Sequence, residues 1–531
     1  MMENNKKTER VYIAIFAFLS VIFYAFLFLN HGLIDDGAFH IGRLKGLAKS
    51  ISLSNLKPWI YDKTYYNLGY PFGVFYPDLF LYPFALLVKM GLSLYGTYIF
   101  MLMCINFFSA LSMYYVSKKL FKYEGVENIE KLSFIVSLMY FAYPYRLWDV
   151  FFRMAVGESM AFIFLPLIVL GVYEIFYKNK LGFALFLGMT GIAYSHILSV
   201  VMVAGFLILY YLINIKKIVA NPRIILNTAI NAVFTILSTL MVTLPILEMQ
   251  SFTKLYYQTG IKTFGLLKDH TLKIINNNIV SLIITIIACV VFLVLLIKAQ
   301  SRNKKYLLII IFNVYVCTSA FAWGFFEDVL PAINIIQFPW RLLVFSGIPF
   351  AFLCGKKLLN AAPIYISIVV MMWLSVMGMC SIAYIDISGI DLYGQYSIGQ
   401  GEYLTASEKE FFIDGNKVED VYKKYDIKAN GNEFEFKAVD SANGSEVVIP
   451  KGYYKGYEIK DTDGNTYSYE ISDEGMIKIV NPKTSKVSLR YVGTLIQRIS
   501  LIISFINFVG IICLLYYYKR NILFSKAKGT S

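Results

Sequence analysis

Tyr76-Pro77-Asp78-Leu79-Phe80-Leu81-Tyr82-Pro83-Phe84-Ala85-Leu86-Leu87-Val88-Lys89-Met90-Gly91-Leu92 is the stretch on which the topology turns. It is apolar enough to be taken for a membrane span. Yet at about 17 residues it falls short of the ~20 that a crossing helix needs, and it carries Pro77, Asp78 and Pro83. Counted as a crossing, it would put Lys118, Lys119 and Lys122 outside and invert every later loop. Read instead as a re-entrant or surface-lying helix, covered by protein rather than lipid, it leaves a consistent scheme.

In that scheme the chain is a polytopic α-helical membrane protein of about twelve spans. Its 531 residues are 57% hydrophobic and 17% aromatic, with a mean hydropathy of +0.59. Spans are expected to begin near Val11, Thr97, Leu132, Met160, Gly182, Leu198, Ile224, Val280, Tyr306, Arg341, Ile364 and Leu495. Lys118/Lys119/Lys122, Lys178/Lys180, Lys216/Lys217/Arg223, Lys298/Arg302/Lys304/Lys305, Lys356/Lys357 and Lys519/Arg520 then follow every second span, cytoplasmic together with both termini. The formal net charge of +14 is therefore a topogenic signal, which argues against nucleic acid as a partner. The first span follows Lys6, Lys7 and Arg10 without a small-residue cleavage site and reads as a retained signal anchor. Cys104, Cys289, Cys317, Cys354, Cys380 and Cys513 all fall in hydrophobic runs, with neither disulfide nor zinc spacing.

Upstream of the deciding stretch, the first outer loop (residues 31–76) opens with Ile34-Asp35-Asp36-Gly37-Ala38-Phe39-His40-Ile41-Gly42-Arg43-Leu44. If Asp36 caps a helix starting at Gly37, His40 and Arg43 share its polar face, beside an apolar stripe of Ile41, Leu44, Ala48 and Ile51. Such an outer juxtamembrane helix would hold a carboxylate at the water–lipid boundary, although a plain capped amphipathic helix reads the same way. The turn Gly69-Tyr70-Pro71-Phe72-Gly73-Val74-Phe75-Tyr76-Pro77 is dense in aromatics, which are interfacial anchors or a platform for a sugar ring.

The same parity puts the remaining polar residues of the span ends on the outer side, where they mark a cavity. Arg146 and Arg153 straddle Asp149, either as phosphate ligands or as a structural pair. Glu158 begins a span, and His196 ends another. A polar loop between Glu248 and Asn278 is long enough to be a flap. Trp340-Arg341 leads into a later span, where Arg341 either snorkels to lipid phosphate or grips a lipid-linked substrate. No serine–histidine–acid order and no multi-histidine site is evident, while a carboxylate-held divalent cation remains open.

Residues 386–494 turn polar and β-rich. Glu433–Lys437, Ser445–Ile449, Thr466–Glu470 and Lys486–Tyr491 alternate with strand period, and Asn430-Gly431, Asn443-Gly444 and Asp463-Gly464 supply turns. A small outer β-sandwich-like domain is expected, tethered by spans at both ends. Residues 495–531 complete the chain with a last span and a basic tail.

Asp35-Asp36, Phe39-His40-Ile41-Gly42-Arg43, the Gly69–Pro77 turn, Trp340-Arg341, Gly401-Glu402-Tyr403-Leu404 and the run Ile449–Tyr457 resemble bacterial membrane proteins labelled 6-pyruvoyl-tetrahydropterin-synthase-related and their YfhO-like relatives. Both groups are similar to the GT-C superfamily of integral-membrane glycosyltransferases. Where that family commonly has His-Asp this chain has Asp35-Asp36, so Asp36 matches the family acid. The resemblance implies a GT-C-like membrane domain over residues 1–385. It also implies transfer of a sugar from a polyprenyl-phosphate donor to a cell-envelope acceptor outside the bacterial cytoplasmic membrane. Asp36 would be the catalytic base, and Asp35 would orient it or share a divalent cation (Mg2+ or Mn2+) with it. His40, Arg43, Tyr70, Tyr76, Arg146, Asp149, Arg153, Glu158, His196, Trp340 and Arg341 would bind substrate. A transporter or flippase of lipid-linked saccharides, or a non-catalytic envelope-assembly protein, would share the cavity without the chemistry; the chain lacks the internal repeat of many transporters.

Overall fold

The computed structural model describes residues 2–30, 32–257, 260–262, 302–358, 401–413, 417–436 and 445–528, with the pair 385–386 and scattered helical positions within 283–298 and 366–374. The molecule is mostly helical, with a small sheet region. Five described helices are long and apolar enough to cross a membrane: Lys6–Asn30, Leu94–Glu124, Val156–Lys178, Arg223–Phe252 and Leu495–Leu514. Four other expected spans are shorter helices: Ile129–Phe141, Phe183–Ala193, Ile197–Ile213 and Arg302–Val316. The segment at Arg341 begins as a 3-10 helix, Pro339–Ser346, before Gly347–Leu358. At about 1.5 Å per residue the shortest of these reach barely half of a ~30 Å hydrocarbon core. Most of each span expected near Val280 and Ile364 lies outside the described residues. By length and composition, five helices among the described residues could cross a membrane, fewer than the charge pattern leads one to expect.

Local chemistry explains the short pieces. Pro144 ends the Ile129–Phe141 segment, and Gly182, at φ +66°, turns the chain between Val156–Lys178 and Phe183–Ala193. These last two helices meet along a seam of small residues. A Cβ on Gly171 would stand 2.2 Å from the Leu185 nitrogen, and one on Gly191 would stand 2.2 Å from the Phe164 ring. Ile129–Phe141 is buried from Leu132 onward, with Phe134 stacked 4.2 Å from Tyr12 of the first helix. At one end of the bundle Lys118 pairs with Glu9 at 2.8 Å and Lys119 with Glu174 at 2.7 Å. Asp36, Asp149, Glu158 and Arg341 gather at the opposite end.

The 76–92 stretch breaks into the 3-10 turn Leu79–Leu81 and the helix Tyr82–Lys89, with Pro83 in its first turn. Together they span about 16 Å, too short to cross. Their start is pinned from upstream: Lys57 pairs with Asp78 at 2.6 Å, Tyr61 donates to Asp78 at 2.9 Å, and Arg43 Nη2 donates to the Pro77 carbonyl at 2.6 Å.

The sheet region is antiparallel throughout. Strands β3 (Lys428–Asn430), β4 (Glu433–Glu435), β6 (Tyr457–Asp461), β7 (Thr466–Tyr467) and β10 (Lys486–Tyr491) form one sheet, in the order β3-β4-β10-β6-β7. Strands β5 (Glu446–Gly452), β8 (Glu470–Ile471) and β9 (Met476–Val480) form the other, in the order β5-β9-β8. Both contribute to one apolar core, through Ile459, Val487 and Leu489 on one side and Val447, Ile449 and Ile477 on the other. Trp59, Ile60, Val74 and Phe75 of the first loop complete that core. Lys451 Nζ and the Gly452 amide also reach back to the carbonyls of Asn67 and Leu68, at 2.6 and 3.0 Å. A further two-stranded pair joins β1 (Gly32–Leu33) to β2 (Ile385–Asp386).

Candidate active site

The site grows from two interlocked turns. Asp35 adopts a left-handed backbone (φ +42°), as does Met154 (φ +51°). The Asp36 amide donates to the Arg153 carbonyl at 3.0 Å, and the Ile34 amide points at Met154 Sδ, 3.4 Å away. A Cβ at position 37 would lie 2.7 Å from Met154 Sδ, so a larger residue there would displace the Met154 side chain. Asp36 occupies the N-cap position of the helix Gly37–Ser50, but its side chain makes no capping hydrogen bond. The carboxylate instead faces Arg153, with Nη2 and Oδ2 3.6 Å apart.

Arg153 comes from a single π-helical turn, Trp148–Arg153. The widened turn lets it serve several acids at once: Nη1 reaches Asp149 at 2.8 Å and Glu158 at 3.0 Å, while Nη2 is left towards Asp36. Trp148 covers the guanidinium at 5.4 Å. Glu158 also accepts from the Tyr145 hydroxyl and faces Arg341 Nε at 3.6 Å. Ser159 donates to the second oxygen of Asp149 at 3.2 Å. Two arginines and three carboxylates thus form one connected chain, with Asp36 at its open end.

Protonation follows from burial. Desolvation, partly opposed by Arg153, raises the Asp36 pKa to about 6. The side chain nevertheless keeps 43% of its surface open. An open face within dense surroundings describes a recess rather than a group directed into bulk solvent. Desolvation, reinforced by Glu158, pushes Asp149 well above the usual carboxylate range, and desolvation also raises Asp35. Arg153 is itself desolvated, but Glu158 and Asp149 outweigh that effect and raise its pKa. Burial and the neighbouring arginines keep His40 neutral, and burial brings His196 down to about 4.

Of the residues singled out from sequence, Asp36, Asp149, Arg153, Glu158 and Arg341 converge, with Trp340 edge-on to Trp148 at 6.3 Å. Arg43 turns away to the Pro77 carbonyl, with His40 Nδ1 3.4 Å from its Nη1 and Tyr76 beneath it. Arg146 does not pair with Asp149. It lies fully buried between Phe141 and Phe162, bonded to Asn106 and the Phe141 carbonyl. His196 borders the network and bonds Ser199 at 2.8 Å. Tyr70 and Tyr76 meet Glu402, through its carbonyl and its carboxylate respectively. Most of the loop between Glu248 and Asn278 lies outside the described residues.

Tyr145, Trp148, Ser159, Gln337 and Glu402 complete the site without having been singled out for it. Only Glu402 carried a signal, the Gly401–Leu404 run. Around Asp36 the carboxylates are engaged by arginine: Asp36 faces the Arg153 guanidinium, and Asp149 and Glu158 pair with it. Among the described residues no group of three His, Cys, Asp or Glu side chains is arranged to hold a metal ion. No protein-family model matches this chain, and no curated protein matches it.

Proposed function

We propose that this chain is a GT-C-like membrane glycosyltransferase of about twelve spans. It moves a sugar from a polyprenyl-phosphate donor to a glycopolymer or glycolipid acceptor at the outer face of the bacterial cytoplasmic membrane. The observation that carries this reading is a half-open carboxylate of raised pKa 3.6 Å from a guanidinium. A base and a cation facing one recess are what displacement of a phosphate leaving group needs.

Asp36 takes the proton of an acceptor hydroxyl. That oxygen bonds to the anomeric carbon with inversion, and the carbon–oxygen bond to the donor phosphate breaks. The bonding pair stays on the phosphate, whose charge Arg153 and Arg341 neutralise. Asp149 and Glu158 hold the two arginines in place. Once Asp36 gains its proton, the recess is more positive by one charge as the phosphate departs. Asp35 holds Asp36 in place through the left-handed turn.

Purified protein in lipid, given a radiolabelled polyprenyl-phosphate sugar, should release the label to acceptor, and Asp36→Asn should slow this at least ~100-fold. An Asp36→Asn variant as active as the parent would remove the base assignment. Label that crosses the membrane still attached to lipid would instead identify a transporter.

A further inference from the structure

Arg341 is held from behind by an element distant in sequence. Its Nη1 donates to the Ile336 carbonyl and to Gln337 Oε1, both at 3.1 Å, and its Nε faces Glu158. Nη2 takes no partner among the described residues. Gln337 Nε2 in turn donates to Glu402 Oε1 at 3.2 Å, and Tyr76 donates to Glu402 Oε2 at 3.3 Å. Of the two ways the Gln337 amide can face, only one lets its oxygen accept from Arg341 while its nitrogen donates to Glu402. Gln337 also sits at φ +57°, ψ −52°, a backbone that a side-chain-bearing residue holds only when its surroundings enforce it.

Glu402 itself is fixed firmly. Tyr256 N donates to the Leu404 carbonyl at 2.8 Å, and Tyr403 N donates to the Tyr256 carbonyl at 2.9 Å. Thr405 Oγ1 bonds the Gly475 carbonyl at 3.1 Å, and Tyr454 bonds the Tyr403 carbonyl at 3.3 Å, both from the sheet region. We propose that Glu402 is a positioning residue: by fixing the Gln337 amide it holds Arg341 with Nη2 turned to the phosphate of the lipid-linked sugar donor. This inference rests on the glycosyltransferase reading for the identity of the phosphate. It makes the sheet region, through residues 401–405, part of what sets donor recognition.

The test compares Glu402→Ala, Glu402→Gln and Gln337→Leu in the full-length protein, measuring transfer kinetics and binding of a short-chain polyprenyl phosphate. Glu402→Ala should raise the donor KM about tenfold with kcat within about twofold, and weaken polyprenyl-phosphate binding by a similar factor. Glu402→Gln keeps an acceptor oxygen for Gln337 and should restore both to within about twofold of the parent. Gln337→Leu should reproduce the alanine effect, and the double variant should be no worse than either single one, because both break one chain of contacts. An unmoved donor KM, a glutamine variant as impaired as alanine, or additive effects would each overturn the proposal. If Glu402→Ala does not fold, Gln337→Leu alone decides, by the same KM shift. Loss of polyprenyl-phosphate affinity without any transfer in the parent would leave the positioning role standing and reject the glycosyltransferase reading. Normal transfer with unshifted variants would do the opposite.

Discussion

At the scale of single residues, the site is a problem of charge taken out of water. Arg153 is the only guanidinium within 4 Å of Asp149 among the described residues, and Asp149 is fully buried. Arg153→Ala would leave Asp149 and Glu158 short of a cation, and should cost on the order of 3–5 kcal/mol, read as a lower unfolding midpoint in detergent. Asp36 gives the pH prediction. A base must be unprotonated to work, so initial transfer rates should fall as pH drops through about 6, with the midpoint following the raised pKa of Asp36. Stability runs the other way. The folded state holds the Asp36 proton more tightly than the unfolded chain, so this group's stabilising contribution declines as pH rises from about 4 to 6. Unfolding midpoints of the parent against Asp36→Asn across that window would expose the difference. Asp36, Arg153, Glu158 and Arg341 were legible in the sequence because polar residues at the ends of apolar runs stand out. Tyr145, Trp148 and Ser159 were not, since they sit on the short helix before the π-helical turn, on the turn itself and on the helix after it, a break that leaves no mark on hydrophobic periodicity.

At the scale of elements, hydropathy measured composition where length and interruption decided the outcome. The runs from Leu132, Gly182 and Arg341 are apolar enough for spans, but the first stops before Pro144, the second ends at Tyr194 and the third is split between the 3-10 helix Pro339–Ser346 and the helix Gly347–Leu358. The 76–92 stretch was legible for the same reason in reverse, since Pro77 and Pro83 are visible in the chain. The close seam between Val156–Lys178 and Phe183–Ala193 gives a separate expectation. Gly171→Ala drives a methyl to 2.2 Å from the Leu185 backbone, which cannot swing aside as a side chain does. The variant should lose about 1–3 kcal/mol, measured as thermal stability in detergent. The same change at Gly205, where a Cβ meets nothing within 4 Å, should be nearly silent.

At the scale of the whole molecule, the sheet region and the helices share material. The alternation of β4, β5 and β10 was readable, whereas β6 and β9 and the helices Ala406–Ile413 and Val418–Lys424 were not anticipated. Nor did any local pattern reveal that Trp59, Ile60, Val74 and Phe75 would enter the sheet core, because that contact joins residues several hundred positions apart. Removing residues 418–491 would therefore strip the cover from those four side chains, besides removing Lys455, which pairs with Glu248 at 3.0 Å. We expect the truncated chain to aggregate rather than survive as an intact helical part, as seen by size-exclusion chromatography of detergent extracts.

The π-helical turn at Trp148–Arg153 also bears on ancestry. Such turns hold one residue more than an α-helix needs, and single-residue insertion is the simplest route to one. Losing that residue would rotate the segment on one side by about 100° relative to the other and carry Arg153 off Asp36, while the helices around it kept their places. A lineage could thus acquire or lose the charged recess in one codon without rebuilding its scaffold. Relatives with the same helices but a turn one residue shorter would be expected to keep the fold and lack the site.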